Sequence, residues 1–260
     1  ACGNLAGAMP ERWIAAGLDP AQISVIRPSG KPVAGGVRVL TALPEDEVPA
    51  LAMLGTKPQK LNEVAPALAR ALDPHTILIS ILAGTDQATL RALFPACGTI
   101  VRAMPNTPVK LGKGATGLFS DSQDRDALAT VERLMAALGA VEWIEDERLF
   151  DAVTALSGSG PAFLFRFIDA LAAAGAGLGL PRAQAERLAL ATVEGAAALA
   201  ATAGESPGVL ADRVASPGGS TRKGLDVLDA DERLVVLLRD TLEAALKRNH
   251  EMAQEARRGS

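Results

Sequence analysis

The six residues 216–221, which read SPGGST, are of the types that bind an anion. Two glycines after Pro217 let the backbone turn tightly, and the N–H groups of Gly219, Ser220 and Thr221 can then converge ahead of the next helix. Such a group of donors at a helix N-terminus binds a carboxylate or a phosphate. The alternative is a turn that only starts a helix, and these residues by themselves favour neither interpretation.

The chain opens on ACGNLA, a second candidate anion site. The dinucleotide-binding turn reads G-x-G-x-x-G/A, with glycines where the backbone turns and approaches the pyrophosphate. Gly3 and Ala6 fit this pattern, whereas Ala1 stands where the first glycine is usual. The N–H groups of Asn4 and Leu5, at the start of a helix, would face the phosphates. Alone this match is weak, because glycine-rich turns before helices are common and usually structural.

The segment after the apolar run Ile23–Ile26 bears on the choice of dinucleotide. Enzymes that select NAD place an acidic residue here to hold the ribose 2′-hydroxyl. No Asp or Glu follows; instead Arg27, Ser29 and Lys31 supply two cations and a hydroxyl, which suit a 2′-phosphate. The alternative is a polar turn with solvated charges. We favour NADPH, with NADH as a second candidate.

Short apolar runs in the first half of the chain predict the strands that carry these turns. Near-continuous apolar strands are typical of a parallel sheet covered by helices on both faces. The alternation of such runs with helical patterns predicts a Rossmann-type doubly wound α/β sheet over residues 1–147. The runs are Ile23–Ile26, Ala50–Gly55, Thr76–Leu82 and Thr99–Met104, and helices are predicted at Leu61–Leu72, Asp86–Phe94 and Asp124–Leu138.

Strand patterns stop near residue 147, and residues 148–260 are predicted to form an all-helical domain. The stretch Glu147–Leu180 is apolar nearly all round, as expected of a helix buried on every side. Such a helix indicates that two chains share a core, so we predict a homodimer. The small residues of SGSGP (157–161) permit close approach of a ligand or of another helix.

Composition excludes several classes of protein. The 260 residues are 48% hydrophobic and 22% charged, as in a globular protein. With a net charge of −4, the chain lacks the basic face that broad nucleic-acid binding requires. The sequence contains no run of about 18 uncharged apolar residues, so it predicts no membrane span. Cys2 and Cys97 are too few for a disulfide framework or a cysteine zinc site, no metal constellation is visible, and we expect a cytoplasmic protein.

Four motifs, in a fixed order, carry a resemblance to a known family. They are KPQ (Lys57–Gln59), RAMPNTP (Arg102–Pro108), ALSGSGPAF (Ala155–Phe163) and SPGGST (Ser216–Thr221). With them the whole chain resembles pyrroline-5-carboxylate reductase, and the last three motifs together are highly specific. The resemblance implies a Rossmann domain carrying NADPH and a helical domain that interlocks with a partner's. The implied reaction reduces 1-pyrroline-5-carboxylate to proline, the last step of proline biosynthesis.

The resemblance also carries expectations about assembly and about the first strand. Dimers of this family often assemble further, commonly as a decamer of five dimers. A strand is expected to precede Ala1, to lie at the centre of the sheet and to deliver the phosphate-binding turn. That first strand is missing from the present sequence.

Individual roles follow from the resemblance. Thr221 and Ser216 are implied to be catalytic, with the Thr221 hydroxyl bonded to the imine nitrogen or to the carboxylate. The loop at Lys57 is implied to contact the cofactor. Asn106 is implied to hydrogen-bond at the nicotinamide end or only to pin its turn. The implied substrate-binding residues are Ser216, Gly218, Gly219, Ser220 and Thr221, and the implied cofactor-binding residues are Gly3, Asn4, Leu5, Ala6, Arg27, Ser29, Lys31, Gly55, Thr56, Lys57, Pro58, Ile81, Leu82, Ala83 and Asn106.

No strong general acid is apparent, since His75 and His250 lie outside every motif. Hydride transfer to a protonated iminium needs none. Three alternatives remain. A hydroxyacid reductase would carry a lysine in Ala152–Leu171, which has none. A non-catalytic NADPH-binding scaffold would explain Ala1 and Ala42, which stand where the family usually has Gly and Asn. A reductase of another cyclic imine would share the whole pattern.

Overall fold

The computed structural model describes residues 4–33, 35–44 and 46–258. The chain divides into two compact units. Ala1–Pro161 together with Ala244–Ser260 form the first unit, and Ala162–Glu243 form the second. The first unit contains all the described strands, whereas the second contains helices.

The strands of the first unit form two sheets. β1 (Ser24–Ile26) and β2 (Arg38–Leu40) pair in parallel. The other sheet has five strands in sequence order, and its neighbours are parallel except for the antiparallel pair β5–β6. These strands are β3 (Leu51–Leu54), β4 (Ile77–Ser80), β5 (Thr99–Pro105), β6 (Gly114–Phe119) and β7 (Gly139–Trp143).

Helices cover both faces of the five-stranded sheet, which confirms the predicted doubly wound fold. Successive residues of a strand point to opposite faces, and β4 supplies the example. Leu78 lies in the apolar core beneath the helices Leu61–Ala71 and Gln87–Leu93, whereas Ile79 lies in the core beneath the helices Asn4–Ala15 and Arg125–Ala136. These helices are α1 (Asn4–Ala15), α2 (Leu61–Ala71), α3 (Gln87–Leu93) and α4 (Arg125–Ala136).

Two strands are additions to the predicted pattern. The sequence interpretation did not predict β2 or β6, because β2 has only three residues and β6 is rich in small residues, with Gly114 and Gly117. No described strand hydrogen-bonds both to the β1–β2 pair and to the five-stranded sheet. The strand expected to precede Ala1 lies outside the described residues.

A short connector, Glu147–Ser159, leads from the sheet to the long helices. It consists of a turn of 3₁₀ helix (Glu147–Leu149), the short helix α5 (Phe150–Val153) and a π-helical segment (Thr154–Gly158). The side chains of Asn249 and His250 contact α5 at Asp151. The Asn249 Nδ2 group donates to the Asp151 carbonyl over 3.4 Å, and His250 Nε2 lies 3.2 Å from Asp151 Oδ2. The end of the last helix is therefore fixed to the connector.

The second unit is helical, as predicted, and its own core is small. That core comprises Ala172, Ala185 and Ala189, with Ile168 and Ala176 packed against it. Large apolar side chains remain exposed instead, among them Phe165 (65% exposed) and Phe167 (49% exposed). None of the described helices is both long enough and apolar enough to cross a membrane. The helices are α6 (Gly160–Gly177), α7 (Arg182–Thr202), α8 (Pro207–Val214), α9 (Ser220–Asp229) and α10 (Arg233–Arg258), of which α6 and α10 also extend into the first unit.

Candidate active site

The N-terminus of α1 has the form expected of an anion site. The helix begins at Asn4, so the N–H groups of Asn4, Leu5 and Ala6 fall in its first turn, where they have no helical acceptor. No acidic residue stands in that turn to compete with a bound anion. Gly3, the glycine predicted to approach a pyrophosphate, lies outside the described residues.

The positive charges of the loop after β1 have no carboxylate partner in the part of the chain that the structure describes. Arg27 extends the strand pairing, with its N–H donating to the Leu40 carbonyl over 2.7 Å. Its guanidinium Nη1 makes only long contacts, 3.3 and 3.4 Å, to the carbonyls of Lys31 and Pro32. Ser29 accepts a 3.5 Å bond from the Lys31 N–H. Among the described residues, neither Arg27 nor Lys31 has an acidic neighbour within ion-pair distance.

The loop after β3, from Gly55 to Pro58, contains an unsatisfied buried hydroxyl. Thr56 Oγ1 is inaccessible to solvent and has no hydrogen-bond partner among the described residues. A buried hydroxyl usually has a partner, so a bound group is one way to supply it. Lys57 is exposed, and Pro58 starts a turn of 3₁₀ helix that leads into α2.

The loop after β4 lies beside the loop after β3. Leu54 pairs with Ser80 in the parallel register, and the Ile81 N–H donates to the Leu54 carbonyl over 3.1 Å. Leu82 is buried, and its N–H lies 3.4 Å from Ser80 Oγ. Ala83 precedes Gly84, whose φ of 74° requires a residue tolerant of the left-handed region. The predicted cofactor loops 55–58 and 81–83 are thus adjacent at the carboxyl edge of the sheet.

Asn106 follows β5 at the same edge, and its amide is engaged with the protein. The Ala115 N–H donates to Asn106 Oδ1 over 2.8 Å, and Asn106 Nδ2 donates to the Ser157 carbonyl over 2.9 Å. The residue is 8% exposed. These bonds support the structural alternative, in which Asn106 pins its turn, and its contact with a cofactor remains a prediction.

A buried ion pair that the sequence interpretation missed joins β5 to the connector. Arg102 is 5% exposed, and its Nη1 donates to Glu147 Oε1 over 2.6 Å. The same oxygen accepts a 2.6 Å bond from the Gln87 N–H at the start of α3. The guanidinium carbon lies 4.2 Å from the centre of the Phe150 ring. An arginine within a buried strand was the available signal, because a buried charge needs a partner.

The SPGGST turn lies in the second unit and leads into α9. Gly218 has a φ of 72°, and a Cβ added to Gly219 would lie 3.1 Å from the Ser216 carbonyl oxygen, so both positions favour glycine. The Gly219 N–H donates to that carbonyl over 2.9 Å. This corrects the prediction that the Gly219 N–H contributes to the anion nest. The free donors instead begin with Ser220 and Thr221, at the N-terminus of α9.

The side chains of this turn differ in their availability. Among the described residues, the hydroxyls of Ser216, Ser220 and Thr221 make no hydrogen bond, and all three residues are exposed. Arg222 is engaged, because its Nη2 donates to Asp212 Oδ1 over 2.6 Å. That hydrogen bond raises the pKa of Arg222, so the guanidinium stays charged. The same bond joins α9 to α8.

Neither of the two histidines belongs to these loops. His75 is exposed, and His250 is about half exposed beside Asp151. The described residues contain no group of His, Cys, Asp and Glu side chains that could hold a metal ion. Cys97 is buried, and its Sγ donates to the Thr76 carbonyl over 3.0 Å. Burial raises the pKa of this thiol, which keeps it in its neutral form.

The fold and these loops define a class: a Rossmann-type dinucleotide-binding protein with a second, helical unit. Residues 147–252 match the family model of pyrroline-5-carboxylate reductase dimerisation. The pyrroline-5-carboxylate reductase of Pseudomonas aeruginosa is 36% identical over 260 residues, which cover 97% of this chain and 95% of that protein. The chain belongs to the pyrroline-5-carboxylate reductase family, as its motifs predicted.

Solved structures give the same family. Pyrroline-5-carboxylate reductase from Coxiella burnetii matches with a TM-score of 0.87 at 33% identity, covering 96% of this chain and 95% of that one. Pyrroline carboxylate reductase from Plasmodium falciparum, solved with NADP bound, matches with a TM-score of 0.80 at 25% identity over the same shares of the two chains.

Proposed function

We propose that this protein is an NADPH-dependent pyrroline-5-carboxylate reductase that produces L-proline. The observation that carries the proposal is the SPGGST turn, with its free N–H groups and hydroxyls, in a chain that also has a dinucleotide-type sheet edge. A non-catalytic scaffold would have no use for that turn. Membership of the family, and an NADP-bound relative, support the same assignment.

The residues present fit the cofactor. The first turn of α1 suits its pyrophosphate, and Arg27 with Lys31 suits a 2′-phosphate because neither cation has an acidic partner among the described residues. The unpartnered Thr56 hydroxyl suits a polar group of the same molecule. The full proposed set is Gly3, Asn4, Leu5, Ala6, Arg27, Ser29, Lys31, Gly55, Thr56, Lys57, Pro58, Ile81, Leu82 and Ala83; Asn106, which the resemblance adds to this set, already has both groups of its amide bonded within the protein. NADH remains a second candidate.

The substrate carboxylate would be held at the N-terminus of α9. The Ser220 and Thr221 N–H groups and the Ser216 hydroxyl are free to donate to it, and the helix dipole favours an anion there. The Thr221 hydroxyl would bond the ring nitrogen or a carboxylate oxygen. Gly218 and Gly219 give the turn its path. We therefore keep Ser216 and Thr221 as the proposed catalytic residues.

The reaction needs orientation more than acid catalysis. When bound, NADPH supplies the hydride, and the protein's part is to orient the substrate and exclude competing reactions. The C=N carbon receives the hydride, and the C=N π electrons become the nitrogen lone pair. A substrate nitrogen that is already protonated needs no proton from the protein. This accounts for a site whose proposed residues include no general acid.

The same proposal covers domains, assembly and location. We assign residues 1–147 to cofactor binding and residues 148–260 to dimerisation and substrate binding; the family model over 147–252 supports the latter. We expect a homodimer, and a decamer of five dimers as its larger assembly. A cytoplasmic location is inferred from the low cysteine count.

The decisive measurement is NADPH oxidation with 1-pyrroline-5-carboxylate, compared with NADH, in the wild type and in Thr221→Ala. We expect turnover that prefers NADPH and falls roughly tenfold to a hundredfold in the variant, because an interaction with the reacting groups is lost. The matched control is Thr202→Ala, since the Thr202 hydroxyl bonds only carbonyls of its own helix. It should retain wild-type activity.

Other outcomes identify the alternatives. Folded protein that binds NADPH but does not oxidise it with any cyclic imine would be a scaffold. Turnover only with a different cyclic imine would keep the reaction type and change the substrate. Equal activity of Thr221→Ala and wild type would exclude the proposed role of this hydroxyl.

A further inference from the structure

The connector is attached to the cofactor edge of the sheet at two points. Glu147, its first residue, bonds Arg102 of β5 and the Gln87 N–H at the start of α3. Asn106, directly after β5, donates to the Ser157 carbonyl in the π-helical segment. The loops after β4 and β5, at the proposed cofactor edge of the sheet, are thus fixed to the segment that leads into α6.

The Ser157 carbonyl needs an outside donor for a reason visible in the sequence. In an α-helix this carbonyl would accept from the N–H four residues later, but that residue is Pro161, which has none. The local backbone is π-helical, with the Ser159 N–H donating to the Thr154 carbonyl over 3.0 Å. Asn106 Nδ2 satisfies the carbonyl instead. Asn106 therefore supplies to the Ser157 carbonyl the donor that Pro161 lacks.

We infer that Asn106 is a positioning residue for hydride transfer, acting through the Ser157 carbonyl, with no contact of its own to the cofactor; this rests on the proposed function. Both groups of its amide are already engaged within the protein, and the residue is almost wholly buried. Its single side chain holds the loop after β5 and the π-helical segment in fixed register. A π-helical insertion of this kind is frequent at functional sites.

Two substitutions separate the two bonds of Asn106. Asn106→Asp keeps an oxygen that can accept from the Ala115 N–H but cannot donate to the Ser157 carbonyl. Asn106→Ser keeps a short hydroxyl that can stabilise the turn and cannot reach Ser157. Either variant leaves a carbonyl without its donor, which could prevent folding. A Pro161→Ala background restores an N–H four residues after Ser157, so Asn106→Ser in that background should stay folded.

The test compares Asn106→Ser/Pro161→Ala with Pro161→Ala alone. We expect kcat for 1-pyrroline-5-carboxylate to fall about tenfold to a hundredfold, because small displacements of positioning groups have effects of this size. The Kd for NADPH should change by less than about threefold. The primary deuterium isotope effect on kcat, measured with deuterated NADPH, should rise as hydride transfer becomes rate-limiting.

Two results would overturn the inference. A weakened Kd for NADPH with unchanged kcat would mean that Asn106 contacts the cofactor directly. A lowered melting temperature with both constants unchanged would mean that the residue only stabilises the fold. Failure of the proposed function is a separate result, because then the wild type itself would not reduce 1-pyrroline-5-carboxylate.

Discussion

Arg27 and Lys31 give the loop after β1 a positive charge that nothing else in the described chain neutralises. The weak, long bonds from the Arg27 guanidinium to its own loop leave it free to reorient toward an anion. Charge-assisted hydrogen bonds to phosphate are about twice as strong as neutral ones. We therefore propose that the choice between NADPH and NADH depends on these two side chains.

Arg27 and Lys31 are tested together by a double substitution. Replacing both by alanine should weaken NADPH binding by about tenfold to a hundredfold, since a hydrogen bond to a charged group contributes roughly 1.5–3 kcal/mol. Binding of NADH, which lacks the 2′-phosphate, should change little. Fluorescence titration of each cofactor measures both constants.

The matched control is Arg70→Ala. Arg70 is an exposed arginine of α2, in the same unit but outside the loop. It should leave both affinities unchanged. An equal loss of NADPH and NADH affinity in the double variant would show that the loop does not read the 2′-phosphate.

Among the secondary-structure elements, the connector is distinguished by its buried ion pair. Arg102 is almost wholly buried and Glu147 is partly buried, so removal of Arg102 leaves the Glu147 carboxylate with the Gln87 N–H as its remaining donor in this cluster. The Arg102 guanidinium also stacks on Phe150, the first residue of α5. The pair therefore fixes the orientation of the connector on the sheet.

Arg102→Met should lower the free energy of unfolding by about 2–4 kcal/mol, because breaking a buried pair costs more than breaking an exposed one. Urea denaturation at one fixed protein concentration measures the difference. Arg148→Ala is the control, since Arg148 pairs with Asp146 beside the same connector but is 89% exposed. It should have no measurable effect. Equal effects of the two substitutions would contradict the argument.

The sequence predicted the strands whose burial on both faces makes them continuously apolar. β4 and β5 are of this kind, and their ends differ from the predicted runs by only one or two residues. The sequence did not predict β6 because its small residues form no apolar run. These residues pair with the neighbouring strands through their backbone. Its antiparallel direction depends on the turn after β5, which Asn106 holds through Ala115.

The candidate site was predictable where its chemistry is local. The SPGGST turn combines glycines, hydroxyls and a helix start within six residues, so the sequence offered it as a candidate anion site, and the other motifs of the resemblance favoured that interpretation over a plain turn. The bonds from Asn106 to Ser157 and from Arg102 to Glu147 join residues 51 and 45 positions apart. Such pairs are set by packing, which no short pattern encodes. Pro161 was the local clue to the first bond, since it removes a donor from Ser157, and Arg102 within an apolar strand was the local clue to the second.

In the single chain, the second unit buries too few large apolar side chains to form a substantial core of its own. Its few buried side chains are alanines, while phenylalanines and leucines of α6 stay exposed. Large exposed apolar patches mark sites of association. The match of residues 147–252 to a dimerisation domain indicates that these side chains pack against a second chain.

Phe165→Asp should therefore weaken self-association by at least about tenfold, because an aspartate in a closely packed apolar interface would be desolvated without a partner. Sedimentation velocity over a range of concentrations measures the assembly state. Val48→Asp is the control, since Val48 is comparably exposed, at 61%, but lies in the first unit. An unchanged assembly of Phe165→Asp would place the interface elsewhere.

The two bonds of Asn106 have a consequence for the ageing of the protein. In spontaneous deamidation the next backbone nitrogen attacks the side-chain amide carbon and expels ammonia, and water then opens the resulting succinimide to aspartate or isoaspartate. At this position either product lacks the donor to the Ser157 carbonyl, as Asn106→Asp does, without any mutation. Burial and hydrogen bonding of the amide hinder that attack, so the chemistry proceeds mainly from loosened molecules. Storage lifetime should thus follow local stability around Asn106, and chains inactivated in this way would show a one-dalton mass increase.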